Sequence, residues 1–158
     1  MIETVIDALY FFIPAYVANT FACILGKGRP VDLGRNFFDG RRIIGNGVTI
    51  RGSLSGIVCG VIAGALLSMD LLLVILLAAG AIAGDAAGSF TKRRLGMERG
   101  SPAPVLDQLN FVAGGLLFAS VLGPPPLAWI LVIVALTPFG HLLVNKAGYL
   151  LKMKDVPW

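Results

Sequence analysis

Residues 53–90 read SLSGIVCGVIAGALLSMDLLLVILLAAGAIAGDAAGSF. A membrane-spanning helix needs about 20 mostly apolar residues, so this run of nearly 40 is about twice what a bilayer accommodates. The pair Met69-Asp70 is its one strong interruption. The stretch therefore reads as two spans, about 53–68 and about 71–90, folded back at that pair. Outward from it lie three more: about 4–25, rich in Tyr10, Phe11, Phe12, Tyr16 and Phe21; about 105–122; and about 127–150. The last two are parted by Gly123-Pro124-Pro125-Pro126, which cannot continue a helix. Polar stretches 26–52 and 91–104 connect the rest. The fold expected is all-α: one integral-membrane domain over residues 1–158 with five transmembrane helices.

Composition agrees. Of 158 residues, 56% are hydrophobic and 14% charged, with mean hydropathy +0.83 and pI near 9.4. A soluble domain is about 45–50% apolar and about 25% charged. Too few polar residues remain to cover a soluble core, which excludes a soluble nucleic-acid-binding domain despite the net charge of +4. The two cysteines, Cys23 and Cys59, exclude a disulfide scaffold and read as small core fillers. Disorder is excluded by the scarcity of charge. The first span follows Met1-Ile2-Glu3 with no preceding Lys or Arg, unlike a cleaved signal peptide, and is expected to be retained.

Charge placement tests the five-span reading. Lys27, Arg29, Arg35, Arg41, Arg42 and Arg51 lie in the first polar stretch; Lys92, Arg93, Arg94 and Arg99 in the second; Lys146, Lys152 and Lys154 near the C-terminus. These are all 13 basic residues, and five spans put every one on the same side, whereas four or six would split them. The positive-inside rule makes that side cytoplasmic, with the N-terminus outside and the C-terminus inside. Connections on the opposite side are too short for a site, so chemistry is expected at the cytoplasmic face.

An ionisable residue inside a span is costly and marks function by default. Asp85 sits among small residues near the cytoplasmic end of span three, and Asp107 opens span four after a loop with two prolines. Two carboxylates at the ends of sequential antiparallel helices suit Mg²⁺, which takes one or two carboxylates plus substrate phosphates. Lys92, Arg93 and Arg94 would then balance charge developing in phosphoryl transfer. The blander reading pairs Asp85 with Arg93 or Arg94 as interhelical glue and gives the basic run to lipid headgroups. Arginines 35, 41, 42 and 51 stand among the turn signals Asp39-Gly40 and Gly45-Asn46-Gly47, where they could cradle pyrophosphate or belong to an ordinary loop. No Walker-type Gly-Lys-Ser/Thr is present. His141, the one histidine, reads as a packed or hydrogen-bonded helix residue, and no serine has a histidine beside it. Pro14 and Pro138 read as kinks that neighbouring helices absorb.

The run Gly84-Asp85-Ala86-Ala87-Gly88-Ser89-Phe90-Thr91-Lys92-Arg93-Arg94, followed by Gly96, Gly100, Ser101, Pro102 and Asp107-Gln108, resembles the archaeal CDP-archaeol synthase family. These are CTP:2,3-di-O-geranylgeranylglycerol-1-phosphate cytidyltransferases, related to CDP-diacylglycerol synthases. The resemblance includes Pro30, Asp32, Gly34, Phe38-Asp39-Gly40-Arg41-Arg42, Gly45 and Thr49-Ile50-Arg51-Gly52, and reaches the tail at residues 150–158. It departs at Asn46, Val48 and Asn110, where many relatives are expected to carry an acid, a lysine and an acid. It implies that the lipid phosphate attacks the α-phosphorus of CTP and pyrophosphate leaves. Asp85 and Asp107 would hold Mg²⁺, with Lys92 and Arg93 completing the catalytic set. Arg94, Arg35, Asp39, Arg41, Arg42, Arg51 and Ser89 would serve the CTP or lipid phosphate. Ser101, Gln108 and Asn110 would read cytosine edges or phosphate. The implied partners are CTP, an isoprenoid ether-lipid phosphate and membrane lipids, with no nucleic acid, and the implied location is the archaeal cytoplasmic membrane. Two competing readings are a CDP-alcohol phosphotransferase, whose second acid pair has no counterpart here, and a non-enzymatic transporter or lipid-binding subunit, for which no inverted repeat is visible.

Overall fold

A computed structural model describes residues 1–98, 101–150 and 152 of the chain. Arg99, Gly100, Lys154 and the rest of the tail motif at 151 and 153–158 lie outside the described residues. Five α-helices follow one another: α1 (Ile2–Ile24), α2 (Ile50–Leu66), α3 (Leu71–Arg94), α4 (Leu106–Ala119) and α5 (Leu127–Leu150), with a 3₁₀ turn Ser120–Leu122 prolonging α4. Among the described residues there are no strands, only two isolated antiparallel bridges, Pro30 with Thr49 and Asn36 with Arg42.

The interruption at residues 69–70 is a helix stop followed by a helix start. Ser68 takes a left-handed backbone (φ 55°), and the Met69 N–H donates to the Gly64 carbonyl at 3.0 Å, closing the end of α2. Asp70 then caps α3, its carboxylate accepting from the Leu73 N–H at 2.9 Å. Helix α3 runs a turn past the expected boundary at Phe90, so Thr91, Lys92, Arg93 and Arg94 are helical rather than loop residues. Cations in a last helical turn face the negative end of the helix dipole, which favours that extension. Gly96 (φ 73°) then ends the helix, with the Met97 N–H on the Lys92 carbonyl at 3.0 Å.

Helices α1, α3 and α5, of 23, 24 and 24 residues, are long and apolar enough to cross a membrane. Helix α2 and the α4 segment reaching Leu122 are apolar but shorter. At 1.5 Å per residue, the 17 residues of α2 rise about 25 Å, against a hydrocarbon core of about 30 Å.

Close helix contact is written in glycine. Gly52, Gly56, Gly60 and Gly64 recur every four residues on α2 and are all buried. A Cβ at Gly60 would stand 2.6 Å from the Pro14 carbonyl oxygen of α1 and 2.9 Å from Ala78 of α3. With little hydrophobic drive between helices in lipid, backbone approach of this kind supplies the packing. Gly80 and Gly84 of α3 meet Gly114 of α4 in the same way. Between these contacts lies an aromatic centre: Phe12 packs edge-on to Tyr16 at 5.1 Å, and Phe111 lies 6.0 Å from Tyr16. Gly60→Val should therefore cost about 2 kcal/mol or more through overpacking, read as a lowered thermal midpoint in detergent. An unchanged midpoint would remove the α1–α2 contact as a determinant of the fold.

Candidate active site

The segment between α1 and α2 is organised by one buried acid. Asp32 is 6% exposed and accepts from the backbone N–H groups of Gly34 (3.1 Å), Ile44 (3.0 Å) and Gly45 (2.7 Å). Arg42 adds a two-pronged contact through Nε and Nη2. Burial alone would raise the Asp32 carboxyl pKa. The Arg42 guanidinium and the Gly45, Ile44 and Gly34 amides outweigh it and hold that pKa well below the ordinary carboxylate range. Sequence reading placed Asp32 in the family pattern but gave it no role.

That loop is fastened to the end of α3. Arg94 pairs with Asp39 at 2.9 Å and donates to the Arg42 carbonyl at 2.5 Å. Its guanidinium also lies over Phe37 and Phe90, at 4.8 and 4.9 Å from the ring centres. Arg41 answers from the loop, donating to the Arg94 carbonyl at 2.7 Å and so satisfying a free carbonyl at the helix end. Three of the arginines expected on phosphates, Arg41, Arg42 and Arg94, are here bound to carboxylates, carbonyls and rings of this chain.

Helices α3 and α4 bring the two expected acids to one place. A Cβ on Gly84 or Gly88 of α3 would strike Asn110 of α4, so the helices meet within a turn of Asp85. The Asn110 amide donates to Asp85 Oδ1 at 3.4 Å. Asp107 is fixed reciprocally: its Oδ2 accepts from the Ala103 N–H at 2.9 Å, while its own N–H donates to the Ala103 carbonyl at 2.9 Å. The residue between, Val105, is held at φ 70°, a strained conformation for a β-branched side chain that costs about 1–3 kcal/mol. The other Asp107 oxygen pairs with Lys92 Nζ at 2.6 Å.

Asp85, Ser89, Lys92, Ser101 and Asp107 all line a cavity of about 610 Å³ that touches all five helices. The lining also includes polar Thr49 and Ser53 from the start of α2, and apolar Leu9, Ile82, Phe111, Leu136 and Val144. The remaining expected site residues, Arg35, Asp39, Arg41, Arg42, Arg51, Arg93, Arg94 and Gln108, are not on this wall. Arg35 and Arg51 are exposed, and the Arg93 stem lies against the Gly45 turn. Sequence reading gave Asn19, Thr20, Thr49, Ser53 and Asn145 no site role and read His141 as packed or hydrogen-bonded, which it is, against Phe111 and Asn145; all six line the cavity. The available signal was polarity within apolar runs.

Among the described residues, no three His, Cys, Asp or Glu side chains converge as a closed metal cage. Two aspartates lining one cavity would suit a Mg²⁺ ion, which takes one or two carboxylates and completes its shell with water and phosphate oxygens. The residues present fit that ion.

The CarS-like, CDP-archaeol synthase family model matches residues 1–158. Proteins named CDP-archaeol synthase from Methanocaldococcus jannaschii and Methanopyrus kandleri are each 50% identical, covering 96% and 95% of this chain and 96% and 91% of their own lengths. A third, from Methanothermobacter thermautotrophicus, is 54% identical over 96% of this chain and 93% of itself. A solved structure described as an intramembrane enzyme for archaeal membrane lipids biosynthesis superposes with TM-score 0.81 at 42% identity, over 89% of this chain and 94% of that one.

Proposed function

The chain belongs to the CDP-archaeol synthase family, and we propose that it works in the cavity joining Asp85, Lys92 and Asp107 to an apolar wall. It is a cytidylyltransferase of archaeal membrane-lipid biosynthesis, transferring CMP from CTP to a lipid phosphate. The acceptor is 2,3-di-O-geranylgeranylglycerol 1-phosphate. Its phosphate oxygen forms a bond to the α-phosphorus of CTP as the bond to the β-phosphate bridge breaks, giving CDP-archaeol and pyrophosphate. Such transfer asks the protein for positioning and positive charge more than for covalent chemistry.

Asp85 and Asp107 would hold Mg²⁺, which would supply charge neutralisation at the triphosphate. Lys92, paired with Asp107 at 2.6 Å, exchanges that partner for a phosphate oxygen of the substrate. Ser89, Ser101, Thr49 and Ser53 offer hydroxyls around it. Arg41, Arg42 and Arg94, with Asp39, act one step back by fastening the loop that closes this end of the cavity. The observation that carries the reading is this meeting of two carboxylates and a lysine with an apolar wall in one cavity, which suits a charged headgroup on greasy chains.

The chain crosses the archaeal cytoplasmic membrane five times with the N-terminus outside, so that the cavity mouth faces CTP. All 13 basic residues on one side support this arrangement. In a cysteine-free background, Phe38→Cys should react with an impermeant maleimide only from the cytoplasmic side and Pro125→Cys only from the other; the reverse pattern inverts the topology.

Purified protein, labelled CTP, Mg²⁺ and the ether-lipid phosphate should yield CDP-lipid and pyrophosphate in equal amounts, and chelating the metal should stop both. Failure with every lipid phosphate offered would end this reading, and turnover persisting in excess chelator would remove the metal from it.

A further inference from the structure

Helix α5 carries polar chemistry at a spacing the mechanism above does not use. Apart from the Trp129 indole, every polar side chain between 127 and 145 falls at 137, 141 or 145. Four-residue spacing puts Thr137, His141 and Asn145 on one helix face, and all three line the cavity. Thr137 is 3% and Asn145 7% exposed. Thr137 serves the fold, since its hydroxyl donates to the Ile133 carbonyl at 2.6 Å and lies 2.8 Å from the Tyr16 hydroxyl. His141 and Asn145 form a different unit. The Asn145 amide lies 3.0 Å from His141 Nδ1, and the imidazole stacks on Phe111, one turn along α4 from Asp107. A histidine and an asparagine are costly on an otherwise apolar helix unless they serve the cavity they face.

Their position says which substrate they serve. Helix α3 packs on α1, α2 and α4, whereas α5 packs on α1 and α4. The cavity therefore has α3, with Asp85 and Lys92, on one flank and α5 on the other. In-line transfer puts attacking and leaving oxygens on opposite sides of the α-phosphorus. With the triphosphate on the carboxylate flank, the attacking group comes from the α5 flank. Helix α5 also buries the fewest residues of the three long helices, Ile133, Thr137 and Asn145, so a substrate arriving from the bilayer meets it first. We propose that His141 and Asn145 bind the phosphate monoester of the lipid substrate and aim its attacking oxygen at the α-phosphorus of CTP. The inference rests on the cytidylyltransferase reading. The dianion supplies its own electron pair, the new P–O bond forms as the bond to pyrophosphate breaks, and the pair moves no proton.

The chain has one histidine, so diethyl pyrocarbonate gives a single imidazole signal in the wild-type protein. The lipid phosphate alone should slow that modification about tenfold, while the matching glycerol diether without phosphate, or Mg-CTP alone, should not. In two-substrate kinetics, His141→Ala and Asn145→Leu should each raise the lipid KM about tenfold and leave the CTP KM within about twofold. His141→Gln, which keeps a hydrogen-bonding group, should recover most of the loss. Protection by Mg-CTP instead of the lipid phosphate, equal protection by the diether, or a parallel rise in both KM values would overturn the proposal. Failure of the wild-type protein to make any CDP-lipid would overturn the underlying reading instead, so the two failures are distinguishable.

Discussion

Asp85→Asn and Asp107→Asn are each expected to lower kcat/KM by about 10³ while the fold survives, since removing one preorganised electrostatic group from a water-poor site costs about that much. The substitution changes charge and almost nothing else. An asparagine at 85 keeps an oxygen to accept from the Asn110 amide, now at 3.4 Å. At 107 it keeps an acceptor for the Ala103 N–H, now at 2.9 Å. Each variant leaves one carboxylate where the proposed Mg²⁺ site has two. Asp107→Asn also strips Lys92 of the partner it holds at 2.6 Å, so its CTP KM should respond differently from that of Asp85→Asn. The measurement is CDP-lipid formation across a Mg²⁺ titration, with thermal midpoints within about 2 °C of wild type as the control for folding. Full activity in either variant removes that residue from the site.

Both acids stood out in the sequence, Asp85 as a costly carboxylate among small residues within an apolar run and Asp107 as the acid that opens the next one. The division of the long apolar run was legible from its length, about two spans, with Met69-Asp70 near its middle, and Asp70 is a cap. The arginines were not legible in the same way. Sequence shows that Arg41, Arg42 and Arg94 are charged and near turns, but not that Arg94 reaches Asp39 and the Arg42 carbonyl across more than 50 residues. A guanidinium has five donors, and carbonyls at a helix end compete with phosphate for them. The boundary of α3 shifted for a similar reason, because charge in residues 91–94 resembles a loop until the helix dipole and the Arg41 contact are counted. On α5 sequence reading singled out His141 and passed over Thr137 and Asn145, since periodicity alone cannot say whether a helix face meets a neighbour or a cavity. Helix α2, read as the second span, has 17 residues and is shorter than the three helices long enough to cross a membrane; its glycines draw it against α1 and α3.

Asp32→Asn should be the most damaging substitution outside the cavity, costing about 3 kcal/mol of local stability at neutral pH. The carboxylate, 1% exposed as a side chain, is held by donors only: Arg42 and three backbone amides. An asparagine presents at least one N–H to a site that has no acceptor for it, and leaves the Arg42 charge unanswered. The loop that Arg42, Arg41 and Arg94 jointly hold would then loosen from α3, and Gly47, Val48 and Thr49, which line the cavity, would loosen with it. Limited proteolysis between α1 and α2 should accelerate, and the CTP KM should rise with it. The pH dependence follows from the direction of the shift. A carboxyl whose pKa is lowered on folding stabilises the fold fully above its unfolded value of about 3.9, and that contribution is lost as pH falls towards the folded value. Between pH 5 and 8 the wild-type loop should therefore resist protease equally well, and the gap to Asp32→Asn should stay constant. Below about pH 4 the gap should narrow, because the wild-type acid begins to resemble the neutral variant. A gap that instead widened on acidification would mean that Asp32 is held in its protonated form, and the network around it would have to be redrawn.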